Sequence, residues 1–142
     1  MKKYAHYLFK SSIVAIVLAI TLISCETGDP VGPTDNRDNL IGQWFCTETP
    51  VSPPGSNVTF NVNITKDVND STKIKINNFS SITGITVGTM TGTNTFQIAS
   101  QNVDGNTVSG SGNYSPGTDK INLSYSVNNG LTNQTYTAVY NK

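Results

Sequence analysis

Val58-Thr59-Phe60-Asn61-Val62-Asn63-Ile64-Thr65 alternates apolar and polar side chains without a break. A period of two puts Val58, Phe60, Val62 and Ile64 on one face of a strand and their polar neighbours on the other. The same pattern returns at Ile74 and Ile76, set between Lys73, Lys75 and Asn77, and again at Ile121, Leu123, Tyr125 and Val127. Residues 40–142 are rich in Thr, Asn, Ser, Val and Ile and poor in Ala, Glu and Leu, a composition that favours strand and turn over helix. Eight strands are predicted, at 42–49, 57–66, 72–79, 82–90, 93–100, 106–114, 119–127 and 133–141, with the break near Ser80 and Ser81 the least marked.

Turn-forming clusters separate these runs: Pro53-Pro54-Gly55-Ser56, Asn69-Asp70-Ser71, Gly92, Asp104-Gly105-Asn106, Ser115-Pro116-Gly117-Thr118 and Asn128-Asn129-Gly130. Links this short cannot carry a parallel crossover, so successive strands pair antiparallel as a meander. An open meander leaves two edges exposed to pairing with other chains, and joining the last strand to the first removes them. The expected fold is therefore all-β, a single antiparallel eight-stranded meander closing into a small barrel, with an open half-barrel or a β-sandwich as the alternative. In a closed barrel the eighth strand runs opposite to the first, which brings Tyr140, Asn141 and Lys142 beside Gly42 and Trp44.

The chain starts differently. Lys2, Lys3 and Lys10 precede an apolar run from Ile13 to Ile23 interrupted only by Thr21, and Ser24 and Cys25 follow. A basic start and an apolar stretch shorter than the roughly 20 residues that cross a bilayer read as a secretory signal. Leu22-Ile23-Ser24-Cys25 resembles the lipobox of bacterial lipoproteins. That resemblance implies a signal peptide over 1–24, cleavage before Cys25, a diacylglycerol on its thiol and usually an acyl chain such as palmitate on the new amino terminus. Two or three such chains hold a protein on a membrane, each buried CH₂ contributing about 0.8 kcal/mol. Residues 25–39 hold Gly28, Pro30, Gly32 and Pro33 and one aliphatic side chain, Val31, and read as a flexible tether to a domain over 40–142. Glu26 and Asp29 are either soluble linker or a sorting signal towards the outer surface.

Charge and histidine content exclude several classes. The full sequence balances nine basic against nine acidic residues. Beyond residue 24 the basic ones are Arg37, Lys66, Lys73, Lys75, Lys120 and Lys142, scattered and outnumbered, which gives no footprint for nucleic acid. The one histidine, His6, falls in the signal. Without an imidazole neither a Ser-His-Asp nor a Cys-His arrangement can be assembled, and the usual zinc sites are missing too, so no enzyme, no cofactor and no metal site are expected. Asp67 and Asp70 share a turn but lack the glycine and distal glutamate of a calcium loop. Cys46 reads first as a buried free thiol, with an intermolecular disulfide or a reactive thiol as the alternative.

Gly42-Gln43-Trp44 at the start of the first strand, the lipobox and tether before it, and the run from Gln101 through Gly112 resemble the small lipocalin-like, or calycin-type, bacterial lipoproteins of Bacteroidetes type. The resemblance implies a barrel closed at its base by a basic residue over the Gly-x-Trp indole, and Lys142 is the residue in place. It also implies an envelope protein, monomeric and anchored in the outer membrane on its periplasmic face or at the cell surface, that binds a small hydrophobic or amphipathic ligand. The alternative is a structural or interaction module with a filled core, docking on an envelope partner or inhibiting a secreted enzyme through its Thr/Asn-rich outer faces.

The candidate inward residues are Trp44, Cys46, Val58, Phe60, Val62, Ile64, Ile74, Ile76, Ile85, Val87, Phe96, Ile98, Val108, Tyr114, Ile121, Leu123, Tyr125, Tyr136, Ala138 and Tyr140. Gly110 and Gly112 leave one strand without bulk. Either a neighbouring aromatic such as Phe96 or Tyr125 lies flat there, or the gap opens a pocket mouth lined by Phe60, Phe96, Tyr114 and Tyr125. Glu48 shares a face with Trp44 and Cys46, either orienting a ligand or solvated at a strand end. Replacing Cys25 by Ser should abolish incorporation of labelled lipid and release the protein from membranes; continued labelling would refute the lipobox reading.

Overall fold

The computed structural model describes residues 35–142. The signal, Cys25 and most of the tether lie outside the described residues. Eight strands follow one another: β1 (Gly42–Ser52), β2 (Val58–Lys66), β3 (Lys73–Asn77), β4 (Ile85–Met90), β5 (Thr95–Val103), β6 (Asn106–Ser115), β7 (Lys120–Asn128) and β8 (Asn133–Asn141). Each pairs antiparallel with the next, and β8 pairs with β1 from Phe45↔Asn141 to Ser52↔Thr135. The sheet is a closed barrel in sequence order, which rules out the open half-barrel and the sandwich.

Alternation determines what fills the lumen. Trp44, Cys46, Val62, Ile64, Ile74, Ile76, Phe96, Ile98, Val108, Ile121, Leu123, Tyr125, Ala138 and Tyr140 are all buried there. The glycine gap is filled from within: a Cβ at Gly112 would overlap the Phe96 ring, and one at Gly88 would sit 3.0 Å from Phe96 Cδ2. Phe96 thus lies flat across β4 and β6, and the missing side chains are what admit it.

Four expectations are corrected. The link between β3 and β4 is longer than the alternation implies, because β3 stops at Asn77 and a short 3-10 helix, Phe79–Ser81, intervenes before β4 begins at Ile85. On β4 the inward set is Thr86 and Gly88, leaving Ile85 half exposed and Val87 part-exposed. A one-residue slip reverses every side chain of a strand, and here the Phe96 ring requires the glycine beneath it. Val58 is also half exposed at the strand's start. Finally, β5 changes register between Ile98 and Gln101. The Gln101 amide there accepts from Val87 N at 2.9 Å and donates to Val87 O at 2.8 Å, and Val103 turns into the core.

One end of the barrel, where β1 begins and β8 finishes, is closed by the segment before β1. A 3-10 turn at Asp38–Leu40 buries Leu40, and its carbonyl accepts from Trp44 Nε1 at 2.8 Å. Lys142 Nζ stands 4.5 Å from the Trp44 ring centroid, within cation–π range, and Tyr114 meets the indole edge-on at 6.4 Å. The folded unit also takes in Asp35–Asn39, which the composition assigns to the tether. Arg37 explains it: its guanidinium donates to the carbonyls of Asp67, Asp70 and Lys73, each at 3.1 Å, while Asp35 accepts from it at 2.7 Å. Lys66 pairs with Asp35 at 2.9 Å and with Asp38.

The Phe96 arrangement makes a quantitative prediction. Gly112→Ala should cost about 1–3 kcal/mol through overpacking. Combined with Phe96→Leu it should cost less than the sum of the two single changes, as read by urea denaturation.

Candidate functional site

The opposite end of the barrel, where β1 finishes and β7 ends, is built on different chemistry. Glu48 lies two residues beyond Cys46 on the same inward face of β1 and is only 4% exposed. Its Oε2 accepts hydrogen bonds from the Tyr125 hydroxyl on β7 and from Ser80 Oγ at 2.7 Å. Both partners are neutral hydroxyls. Arg37, Lys66, Lys73, Lys75 and Lys142 are instead in ion pairs with Asp35, Asp38, Asp67, Asp70 or Asp119, and Lys120 is exposed at the start of β7. Burying a carboxylate without a cation is costly unless hydrogen bonds hold it, so the two hydroxyls are what stabilise Glu48 in place.

The Phe79–Ser81 helix forms a plug over this carboxylate. Phe79 is fully buried, its ring centroid 4.5 Å from that of Tyr125, which stacks in turn on Tyr136 at 5.4 Å. Since Phe79 comes from the β3–β4 link and Tyr125 from β7, the two meet across the barrel axis. The plug's backbone is unusual: Asn78, Ser80 and Ser81 all take positive φ, at 61°, 51° and 57°. Asparagine tolerates that region, whereas each serine held there stores on the order of 1 kcal/mol. Asn78 Nδ2 donates to Asn61 O at 2.7 Å and helps hold the turn.

Two buried hydroxyls in the lumen, Tyr140 Oη and Thr86 Oγ1, have no hydrogen-bond partner among the described residues. Tyr140 stands opposite Cys46 in the β1–β8 ladder, so it is the diagonal neighbour of Glu48 on the inner face. Thr86 points inward one residue from the start of β4. Native cores leave few such groups unsatisfied, and each one calls for an explanation.

Burial raises the proton affinity of the acids around Glu48. The Cys46 thiol is pushed up from 9.0 to about 12, mainly by desolvation and secondarily by the Glu48 charge. The Tyr125 hydroxyl is raised further by desolvation and then by Glu48, and Tyr140 likewise by desolvation, then by Cys46 and Glu48. Cys46 is a free, buried thiol held in its neutral form, which is the opposite of a reactive thiolate.

Of the candidate ligand residues, Glu48 and Tyr125 come together, and Phe60 packs partly buried against the same core. Phe96 and Tyr114 do not join them. Phe96 covers Gly88 and Gly112, while Tyr114 packs on Trp44 and donates from its hydroxyl to Asp119 Oδ1 at 2.9 Å at the other end. A mouth lined by all four aromatics is therefore not formed. The closure residues Gly42, Trp44 and Lys142 gather at the Trp44 end, with Lys142 Nζ also 3.4 Å from Asn39 O. Asp67 and Asp70 are taken up by Lys75 at 3.3 Å and Lys73 at 2.8 Å and by their own turns. Sequence reasoning missed Phe79, Ser80 and Thr86. The available signal was a lone phenylalanine inside the polar stretch Asn77-Asn78-Phe79-Ser80-Ser81.

Comparisons with known proteins speak to the fold. No family model and no curated protein matches the chain. A solved structure described as a redesigned beta barrel is similar to it, with a TM-score of 0.58 at 14% identity over 76% of this chain and 95% of that one.

Two measurements test the Glu48 cluster. Tyr125→Phe should destabilise the protein by about 1–3 kcal/mol by leaving the carboxylate short of a donor. Because the native state keeps its Cys46 proton while the unfolded chain loses it above its ordinary value of 9.0, stability should fall as pH rises from 9.0 towards about 12. Cys46→Ala should make that fall shallower in thermal melts.

Proposed function

We propose that the chain is a lipid-anchored protein of the bacterial cell envelope, belonging to the outer membrane, whose lipocalin-like barrel holds a small hydrophobic or amphipathic molecule at its Glu48 end. The lipobox resemblance around Cys25 supports the anchor. The barrel supports the binding role only in outline, since barrels of eight strands hold either their own side chains or one small ligand.

One observation carries the binding reading: a carboxylate buried in a lumen that also holds two buried hydroxyls without a partner among the described residues. A core that only needs to be filled is served as well or better by apolar residues, because buried charge is weak for stability. Polar groups enclosed in an apolar cavity are instead the usual means of orienting a bound molecule.

A filled-core interaction module remains the second reading, favoured by the way Phe96 fills the glycine gap and Phe79 reaches Tyr125 across the axis. On either reading the chain is no enzyme and does not bind nucleic acid, and it works as a monomer attached to its membrane. Native mass spectrometry separates the two. A soluble chain starting at Glu26, purified from its own host, should carry a retained small molecule. A spectrum showing only the bare protein, together with no uptake by Phe79→Ala, would leave the interaction module.

A further inference from the structure

We infer that the Glu48 end of the barrel is a site for a primary ammonium group carrying a short apolar tail, which takes the places of Ser80 and Phe79. The inference rests on the ligand-binding reading above and adds the chemical class of the ligand.

The donor and acceptor inventory points to it. Glu48 can only accept hydrogen bonds when ionised, and the unpartnered Tyr140 and Thr86 hydroxyls each have lone pairs to offer. An ammonium is the complementary group, with three donors and no acceptor. It would also supply the positive charge that Glu48 lacks, since its present partners are the uncharged hydroxyls of Tyr125 and Ser80. A fatty acid is the wrong partner for the same reasons: its carboxylate would face the Glu48 carboxylate across a desolvated lumen, with no cation among the described residues to separate them. The nearby acids do not alter the balance, because Cys46, Tyr125 and Tyr140 are all held neutral.

The plug supplies the second half of the site. Phe79 rests on the Tyr125 face in the position an apolar tail would occupy, and Ser80 makes the polar contact an ammonium would replace. Its turn is held in left-handed backbone at Asn78, Ser80 and Ser81, so withdrawal of the plug releases strain as the ligand restores the contacts. The tail is short because Phe96 and Trp44 already fill the far half of the lumen.

Titration calorimetry on the chain beginning at Glu26 tests this, since every strand of the barrel is paired on both sides and that chain keeps the folded unit whole. Hexylammonium, hexanol and hexanoate present one tail with a positive, neutral or negative head. The expected result is at least tenfold tighter binding of hexylammonium than of hexanol, with hexanoate weakest. Phe79→Ala should tighten all three, and Glu48→Gln should bring hexylammonium down to the level of hexanol. Should Glu48→Gln fail to fold, the three-ligand series on the native chain decides alone. Equal or tighter binding of hexanol or hexanoate would overturn the ammonium assignment while leaving the carrier reading standing. No binding of any of the three by either the native chain or folded Phe79→Ala would overturn both.

Discussion

The ladder between β1 and β8 is the constraint on which the rest of the structure depends. Every other strand pair joins neighbours in sequence and could form in a flat or curled sheet, but Phe45–Ser52 against Thr135–Asn141 joins the two ends of the domain. Closure leaves no edge strand unpaired, and it encloses one face of every strand. Only then do Trp44 and Tyr114, or Glu48 and Tyr125, approach each other from strands that are not adjacent. The apolar residues of eight short strands become one core because the two terminal strands meet.

That core is divided along its length. At the Trp44 end an indole, Leu40 and the Phe96 ring pack tightly, with a rim of paired charges outside. At the Glu48 end the lumen holds a carboxylate, hydroxyls and a plug made from a connecting segment. Among the described residues the basic side chains gather at the first end and the buried carboxyl group of Glu48 lies at the second. Paired surface charge and buried polar groups are thus separated along the barrel axis, while the β1–β8 ladder runs through both ends.

What could be read from the sequence follows from the range of the interactions involved. The period of two is local, and it located the strands and most inward residues to within a few positions. Turn chemistry at Asp104-Gly105 and Asn128-Asn129-Gly130 is equally local. β4 was misread because its register answers to Phe96, a residue on the next strand whose ring needs Gly88 beneath it. The Glu48–Tyr125 pair spans 77 residues, so alternation could place each partner inward without showing that they touch. Arg37 was assigned to the tether because its neighbours are polar, and its partners are backbone carbonyls of a distant turn, which carry no sequence signature.

Arg37 also bears on how the molecule carries load. It fastens the first described residues to the turn between β2 and β3 rather than to β1. A pull on the amino-terminal side is met by three carbonyls and by the ion pairs of Lys66 with Asp35 and Asp38 before it reaches the seam between the first and last strands. The guanidinium works as a strain relief, spreading tension into a hairpin and sparing the closure from being unzipped from its end.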